Sequence, residues 1–455
     1  MKIAIIGGGI TGLTAGYEAA KSGADVTVYE ASNRAGGCIS TSDFTGQPVD
    51  EGPDAFLARV SWATDLCTEL GLKDQLVAPA KRQAYVYSHG ALRLLPVPNV
   101  LGVPLDMDAL AGSGIVSPQG IQRARQEPPY AGLAPDADIT VGQFVRQQLG
   151  NEVAARLADP LIGGINAASI DDLSLRAAAP QLAGAASAGG SLVEALRQIT
   201  QTTLASAPAA ASTASTASAA PVFFTLREGL ASLVDALVAR LGERLKLCTP
   251  VTNLTDIDAD RIIITVPASA ASSLLADVSP QTAARLESIR YASVVLLTLA
   301  FEAKDVEHPM DGSGYLVPAV EGRLLTACSW ASTKWAHIGL PNQVVLRASV
   351  GRYGQQQATQ MDDAHLLSAV RADLTATMGL TAEPSDVRIS RWTNSFPQFR
   401  LGHTKTVAQI RQALAQDAPH ILTTGAWAQG LGLPACIQQG RTAAQASLGK
   451  SAGTQ

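Results

Sequence analysis

Three glycines near the start of the chain have the spacing of a turn that binds a dinucleotide. Gly7, Gly9 and Gly12 form a G-x-G-x-x-G motif directly after the apolar run 3–6. The first glycine of such a motif permits a tight turn, the second lets the backbone approach a pyrophosphate, and the third lets the next helix pack closely on the strand. Amides at the start of that helix then face the negative charge. Because packing alone also produces glycine-rich turns, the motif needs support from its surroundings.

An acidic residue follows at the distance that this motif requires. Glu30 lies eighteen residues beyond Gly12, at the end of the β-rich run 26–29, where a carboxylate accepts hydrogen bonds from the adenosine ribose. The alternative is a solvated carboxylate at a strand end. The order of strand, glycines, helix, strand and acid favours the nucleotide site. The sequence therefore predicts dinucleotide binding.

The elements that position these residues form a strand–helix–strand unit. Apolar residues at helical spacing between Ile10 and Ala20 predict the helix, and such a unit is the minimal half of a doubly wound parallel sheet. We predict an α/β fold with a discontinuous Rossmann-like domain, because similar patterns return later in the chain. They are a helix over 230–241, a strand around Val251, a strand over 261–266, a strand over 421–425 and a helix over 440–448.

The rest of the chain divides into a β-rich unit and a helical one. Segment 80–100 alternates and is rich in Pro, residues 290–393 contain several β-rich runs, and residues 105–200 are mostly helical by pattern. Residues 205–220 contain only Ala, Ser, Thr and Pro, which is typical of a linker. We expect a dinucleotide-binding domain in three parts (1–78, 221–280 and 405–455), a mixed-sheet substrate domain in two (79–104 and 281–404), a helical subdomain (105–204) and a linker (205–220).

Composition argues against several classes of protein. Hydrophobic residues make up 47% of the chain and charged residues 16%, and the net charge is −5, so we expect an ordered protein with no nucleic-acid partner. Five widely spaced cysteines without a C-x-x-C pair favour reduced thiols. The start of the chain does not resemble a signal peptide and no apolar stretch is long enough to span a membrane. We expect a soluble, cytoplasmic protein, although the pattern of residues 105–200 also allows peripheral membrane attachment.

Two strings after the glycine motif resemble the flavin amine oxidase superfamily, which includes amine oxidases, carotenoid desaturases and porphyrinogen oxidases. In residues 30–37, an Arg can neutralise phosphate charge and paired glycines allow the backbone close to the cofactor. Residues 50–59 are similar to a motif of bacterial protoporphyrinogen and coproporphyrinogen oxidases that lies near the flavin ring. The resemblance implies FAD rather than NAD. It continues nearly to the end of the chain, in residues 95–98, 160–167, 173–177, 314–317, 326–330, 334–337 and 425–437.

The resemblance also implies which residues contact FAD. They are Gly7, Gly8, Gly9, Ile10, Thr11, Gly12, Glu30, Ala31, Arg34, Gly36, Gly37, Cys38, Gly52, Pro53, Asp54, Ala55, Val251, Trp392, Leu431, Gly432 and Leu433. Trp392 is equally compatible with core packing. Lys81, Arg82 and Arg93 are candidates for pairing with substrate carboxylates, with a solvated basic patch as an equal alternative. We nominate no catalytic side chain and no metal ligand, because the flavin performs the chemistry.

Several positions depart from the family pattern. Glu51 stands where an Arg is usual, Ala55 replaces a common Ser, Cys38 takes a place often held by Lys, and Ala435 stands where an Asp is frequent. The interval 251–258 is short for the hairpin that the family inserts there. These differences weaken individual contacts with the cofactor more than they weaken the resemblance as a whole.

The activity implied by the resemblance is the FAD-dependent oxidation of coproporphyrinogen III to coproporphyrin III in haem biosynthesis, with molecular oxygen as acceptor. Residues 95–98 and 348–354 resemble the coproporphyrinogen-oxidising branch, and Ala84 stands where mitochondrial and plant enzymes place an Arg that holds a propionate. Oxidation of protoporphyrinogen IX is the alternative. An amine oxidase, a carotenoid desaturase and a porphyrin or flavin carrier without turnover also stay open. A ferrochelatase-type enzyme is the expected recipient of the product, and no oligomeric state is predicted.

Overall fold

The computed structural model describes residues 1–205, 221–355 and 357–449. Its strands are β1 (Lys2–Ile6), β2 (Asp25–Tyr29), β3 (Thr41–Phe44), β4 (Gln47–Asp50), β5 (Phe56–Leu57), β6 (Leu76–Val77), β7 (Tyr85–Ser88), β8 (Ala91–Leu94), β9 (Asn99–Val100), β10 (Val103–Pro104), β11 (Phe223–Leu226), β12 (Leu245–Lys246), β13 (Arg261–Ile264), β14 (Tyr291–Glu302), β15 (Gly314–Leu316), β16 (Leu325–Trp330), β17 (Gln343–Val350), β18 (Asp386–Pro397) and β19 (Ile421–Thr423).

The helices lie between these strands, and eight of them, α3 to α10, follow one another between β10 and β11 in the part of the chain that the structure describes. They are α1 (Ile10–Lys21), α2 (Trp62–Glu69), α3 (Met107–Ser113), α4 (Pro118–Gln126), α5 (Val141–Leu149), α6 (Asn151–Val153), α7 (Gly164–Asn166), α8 (Leu175–Ala178), α9 (Pro180–Ala188), α10 (Leu192–Ala205), α11 (Ala231–Leu241), α12 (Ala268–Leu275), α13 (Pro280–Glu287), α14 (Ala331–Lys334), α15 (Gln357–Gln360), α16 (Asp363–Met378), α17 (His403–Asp417), α18 (Ala426–Gln429) and α19 (Leu433–Ser447). A π-helix, Ala154–Gly163, joins α6 to α7.

A parallel sheet of five strands carries the glycine motif. Its order is β12-β2-β1-β13-β19, and every neighbouring pair in it is parallel. Strand β1 reads as a continuous apolar run because both faces of the sheet are covered. Ile3 and Ile5 join one buried cluster with α1 and α11, while Ala4 and Ile6 join another with α12 and α17. The predicted α/β fold is confirmed, and the domain bounds stay a prediction.

A mixed sheet of seven strands forms the second unit, in the order β18-β14-β17-β16-β15-β7-β8. Its pairs are antiparallel except for β15 with β7. Helix α16 covers one face with Leu366, Val370 and Leu374, which are buried against the sheet. Arg388, a residue of β18, donates to Ser42 Oγ (2.7 Å) and Val49 O (2.9 Å). The hairpin β3–β4, which follows the strand–helix–strand unit, is therefore tied to the second sheet.

Helices α3 to α9, with α10, form the helical layer around a buried apolar cluster that includes Leu110, Phe144 and Leu157. Several of these helices begin at a residue whose side chain accepts a backbone N–H, as capping requires; Asp106, Ser117, Thr140 and Ser174 do so. Among the described residues, no helix combines the length and the apolar character needed to cross a membrane.

Two expectations from the sequence need comment. Val251 lies in an irregular segment rather than a strand; the strand there is the short β12, and Pro250, which has no N–H to donate to a ladder, follows soon after it. Helix α19 begins at Leu433, earlier than the helical pattern over 440–448 indicated. Of the predicted linker 205–220, only Ala205, the last residue of α10, lies within the described residues.

Candidate functional site

The turn after β1 requires glycine at two of its positions for reasons internal to the protein. Gly7 has φ +109°, and its N–H donates to Tyr29 O at 2.8 Å. A Cβ on Gly12 would lie 1.9 Å from Gly7 O, so only a glycine lets α1 pack this closely on the end of the strand. These are the roles that the motif assigns to its first and third glycines.

Gly9 has no such internal reason, and its surroundings fit a ligand. It has φ −69° and is the N-cap residue of α1, whose N-terminus has no side-chain cap. A Cβ at this position would meet nothing within 4 Å. Backbone amides at an open, uncapped helix start are suited to bind a pyrophosphate. The space beside Gly9 is therefore the observation that fits a dinucleotide rather than packing.

Glu30 is held beside this turn. Its Oε2 accepts from Gly8 N (2.7 Å), and its Oε1 accepts from Ser32 N (2.9 Å) and Ser32 Oγ (2.7 Å). A Cβ on Gly8 would lie 2.9 Å from the Glu30 side chain. The carboxylate is thus fixed at the end of β2, next to the glycines, where the sequence placed a ribose-binding acid. Ala31 follows it as an exposed residue.

The paired glycines after Glu30 bring their loop against the first turn. Gly36 N donates to Gly8 O at 2.8 Å, and Gly36 and Gly37 have φ +105° and +59°. Arg34 donates to Gly37 O (2.8 Å) and Ile39 O (3.1 Å). The guanidinium therefore shapes its own loop through backbone carbonyls, and its role beside the cofactor phosphates stays a prediction.

Residues 52–55 lie against the same loop. A Cβ on Gly52 would be 2.3 Å from Cys38 O and 3.2 Å from the Trp392 ring, and Trp392 Nε1 donates to Glu51 O at 2.8 Å. Pro53 is exposed. Trp392, on β18, is thus brought to the second resemblance string. Its position next to Gly52 fits the predicted contact with the cofactor, and packing on the loop fits equally.

Asp54 is the most strongly held residue of this string. Its Oδ2 is 3.2 Å from Lys334 Nζ and 3.1 Å from Arg347 Nη1, and it accepts from Trp335 Nε1 at 3.3 Å. Burial would raise the pKa of this carboxyl, but Lys334 and Arg347 hold the pKa well below its usual range. The next residue, Ala55, packs on a buried cluster that contains Trp335.

Asp50, at the end of β4, has the opposite electrostatic environment. It is 5% exposed, and its Oδ1 accepts from Leu230 N at 2.9 Å and from Thr41 Oγ1. Burial raises the pKa of Asp50 to about 6, although Thr41 and Arg347 oppose the shift. The carboxyl thus joins the hairpin to the start of α11. Because its pKa is raised, ionising it in the folded protein costs free energy, and this cost appears as the pH rises.

The tail of the chain lies across the glycine turn. Gly432 is the N-cap residue of α19, again without a side-chain cap, and a Cβ on Gly440 would lie 2.4 Å from Thr11 O. Ile10 and Leu433 belong to one buried cluster, whereas Leu431 packs on the cluster of the helical layer. Two uncapped helix starts are therefore brought close together by the packing of α1 on α19.

The remaining predicted positions are peripheral to this group. Val251 is half-buried against the cluster of β13, and its neighbour Thr249 donates its N–H to Glu30 O at 2.8 Å. Lys81 and Arg82 are exposed in the loop before β7. Arg93 Nε donates to Ser88 O at 3.1 Å, so this side chain is engaged within its own hairpin.

The sequence missed the basic residues that hold Asp54. Lys334 lies in a string that carried the resemblance but received no role, and Arg347 lies inside the apolar strand β17 with no local signal. Only the pairing of β17 in the sheet turns Arg347 towards Gly52, whose O accepts from Arg347 Nη2 at 2.6 Å.

Comparison with known proteins gives three kinds of match. A family model described as flavin-containing amine oxidoreductase matches residues 10–448. The chain is 31% identical to a coproporphyrinogen III oxidase of Bacillus subtilis over 98% of this chain and 97% of the relative, and 33% identical to that of Mycobacterium leprae over 97% of each. A solved structure from Exiguobacterium sp. 255-15, provisionally assigned as a protoporphyrinogen oxidase, superposes with a TM-score of 0.85 at 30% identity and covers 99% of each chain.

Proposed function

The chain belongs to the family of flavin-containing amine oxidoreductases and is an FAD-dependent oxidoreductase, and we propose that its substrate is coproporphyrinogen III, which it oxidises to coproporphyrin III in haem biosynthesis. The observation that carries the proposal is the extent of the similarity. Relatives named for this activity match 98% of the chain, so the match includes the seven-stranded sheet and the helical layer as well as the glycine turn. Protoporphyrinogen IX is the alternative substrate.

The residues of the glycine turn fit FAD in a specific way. We assign the open amides at Gly9 to the pyrophosphate and the carboxylate of Glu30, fixed by Gly8 and Ser32, to the ribose. The uncapped start of α19 at Gly432 supplies a second set of free amides for the flavin end of the cofactor. These roles follow from the chemistry of the groups and from the space beside Gly9.

When bound, FAD would supply the redox chemistry: oxidation of the porphyrinogen to the porphyrin removes six hydrogens in three two-electron steps, and three molecules of oxygen take up the electrons and protons as peroxide. The protein then has to bind the macrocycle, orient it and exclude water. Trp392 and Leu431 are partly buried apolar residues among the predicted cofactor contacts, and we assign them to that exclusion. Lys81 and Arg82, exposed before β7, are the proposed partners of substrate propionates.

A cytoplasmic location accompanies this proposal. All five cysteines are free thiols, as is usual in a reducing compartment. We propose that an enzyme of ferrochelatase type acts next in the pathway and inserts a metal into the product.

The proposal is tested by following porphyrin fluorescence while the FAD-loaded protein oxidises coproporphyrinogen III or protoporphyrinogen IX at equal concentrations. We expect a higher kcat/KM for coproporphyrinogen III, together with oxygen uptake. A higher kcat/KM for protoporphyrinogen IX would select the alternative substrate. Turnover of amines with neither porphyrinogen oxidised would contradict both. A protein that binds porphyrin without any turnover would be a carrier.

A further inference from the structure

A buried group of charges lies behind the loop 52–55, and the function proposed above leaves it without a role. Asp54, Lys334 and Arg347 have side chains that are 21%, 17% and 7% exposed. The two cations lie 3.2 and 3.1 Å from the same oxygen, Asp54 Oδ2. One carboxylate therefore forms salt bridges with two cations.

The arrangement is more than a link between the loop and the sheet. Arg347 Nη2 already holds the loop through Gly52 O at 2.6 Å, and Trp335 Nε1 also donates to Asp54 at 3.3 Å. Since these contacts suffice to fix the loop, the ammonium of Lys334 adds positive charge to a site that is already held. The single negative charge of Asp54 balances only one of the two cations, and a partly buried charge left unbalanced costs free energy unless a further anion faces it.

The bound cofactor supplies such an anion. Residues 52–55 are predicted cofactor contacts, and Gly52 packs on Cys38 O of the segment that meets the glycine turn through Gly36 N and Gly8 O. Reduction of a flavin at neutral pH leaves its ring with one more negative charge. A nearby cation lowers the energy of the negative form, and it does so more strongly in a partly buried site than in water. A cation behind this loop therefore favours the reduced flavin over the oxidised one.

We propose that Lys334, together with Arg347, raises the reduction potential of the bound FAD. The negative charge of Asp54 lowers the potential and so partly cancels the effect of the two cations. This inference rests on the proposed function, because it needs FAD at the loop 52–55. Lys334 acts through its charge and is not a catalytic residue. A higher potential makes the flavin a stronger oxidant of the substrate and a weaker reductant of oxygen.

The test is the midpoint potential of the bound FAD, measured by equilibration with redox dyes in four variants of the FAD-loaded protein. Lys334→Gln removes the charge and is expected to reduce the preference for the reduced form about tenfold, which lowers the potential by about 30 mV for a two-electron couple. Lys334→Arg keeps the charge and should retain the wild-type potential. Asp54→Asn removes the negative charge and should raise the potential. Lys304→Gln, an exposed lysine at the far end of β14, is the control and should change nothing.

Opposite shifts in Lys334→Gln and Asp54→Asn are the signature of charge, since damage to the loop would move both potentials in one direction. Equal potentials in wild type and Lys334→Gln would overturn the proposal, and so would a shift in Lys334→Gln that Lys334→Arg does not rescue. If Asp54→Asn fails to fold, the two Lys334 variants still decide the result.

The same preparations separate this inference from the proposed function. A wild-type protein that oxidises coproporphyrinogen III, with no difference among the potentials, overturns the inference alone. Potentials that shift as expected in a protein that leaves porphyrinogens untouched support the inference and overturn the proposed substrate. A wild-type protein that binds no FAD overturns both.

Discussion

Arg352 and Asp159 form a buried ion pair with Nη1 and Oδ2 2.7 Å apart. Their side chains are 5% and 9% exposed. Arg352 follows β17 of the seven-stranded sheet, whereas Asp159 belongs to the π-helix and also accepts from Ile170 N at 3.2 Å. The neighbouring Tyr353 N donates to Ala167 O at 2.7 Å. The pair therefore fixes the helical layer against the sheet at the string 160–167.

Removing one partner of this pair should strongly destabilise the protein. We expect Asp159→Ala to lower the free energy of unfolding by about 3–5 kcal/mol, because it leaves a buried guanidinium without its counter-ion. Urea denaturation of the FAD-free protein measures the change. The control is Asp171→Ala, whose partner Arg146 is 34% exposed, and it should cost less than about 1 kcal/mol. Equal losses in the two variants would contradict the role given to the Asp159 pair.

Gly12→Ala should disrupt the turn itself. A methyl group 1.9 Å from Gly7 O forces α1 away from β1, so we expect a loss of several kcal/mol of stability, on the scale of overpacked cores, together with loss of FAD binding. Gly184→Ala is the matched control, since it lies inside α9 with nothing within 4 Å of its added Cβ. That change should stabilise the helix by up to about 1 kcal/mol. Thermal unfolding of both variants checks the difference.

Gly9→Ala should separate cofactor binding from folding. The backbone at Gly9 has φ −69°, which alanine adopts freely, and its added Cβ meets no protein atom within 4 Å. We expect stability of the FAD-free protein within about 1 kcal/mol of wild type and FAD binding at least about tenfold weaker, because the methyl group takes the space assigned to the pyrophosphate. Equilibrium titration with FAD measures the affinity. Unchanged affinity would remove Gly9 from the site.

Asp50→Asn should change how stability depends on pH. Since burial raises the pKa of Asp50 to about 6 from an ordinary value of 3.8, the folded protein holds this proton more tightly than the unfolded chain. The stabilising contribution is therefore present at low pH and is lost as pH rises through about 6. Two pKa units correspond to about 3 kcal/mol.

An asparagine at this position keeps an oxygen to accept from Leu230 N and Thr41 Oγ1 and cannot ionise. Unfolding of the FAD-free protein at pH 5 and pH 8 is the measurement. Since only about one of the two pKa units falls between pH 5 and pH 8, we expect Asp50→Asn to gain about 1–2 kcal/mol relative to wild type between the two pH values. Parallel pH dependence in the two proteins would show that Asp50 does not titrate in this range.

Local patterns were sufficient to predict the glycine turn and the acid after β2. The contact of Gly12 with Gly7 O and the place of Glu30 follow from short stretches of sequence, because both depend on one strand–helix–strand unit. Strand β18 was harder to predict, since most of its residues are polar and only Pro397 is buried, and so was the irregular segment at Val251.

Other features depend on contacts between distant parts of the chain. Arg347 holds Gly52 across 295 residues of sequence, and Asp54 meets Lys334 across 280. Nothing in the neighbours of Arg347 distinguishes it from an arginine at a strand edge. The direction of Arg34, towards Gly37 O and Ile39 O, likewise depends on how its loop closes, which residue types alone do not specify.

The central claim is that bound FAD takes its electrons from a porphyrinogen, and anaerobic mixing of the FAD-loaded protein with coproporphyrinogen III tests it most directly. Because forming a porphyrin removes six electrons and one flavin accepts two, we predict that the absorbance of oxidised flavin falls on anaerobic mixing with little porphyrin fluorescence. Admission of oxygen should then restore the flavin absorbance while porphyrin fluorescence rises. Flavin that stays oxidised in the presence of coproporphyrinogen III and protoporphyrinogen IX, while an amine reduces it, would contradict the account.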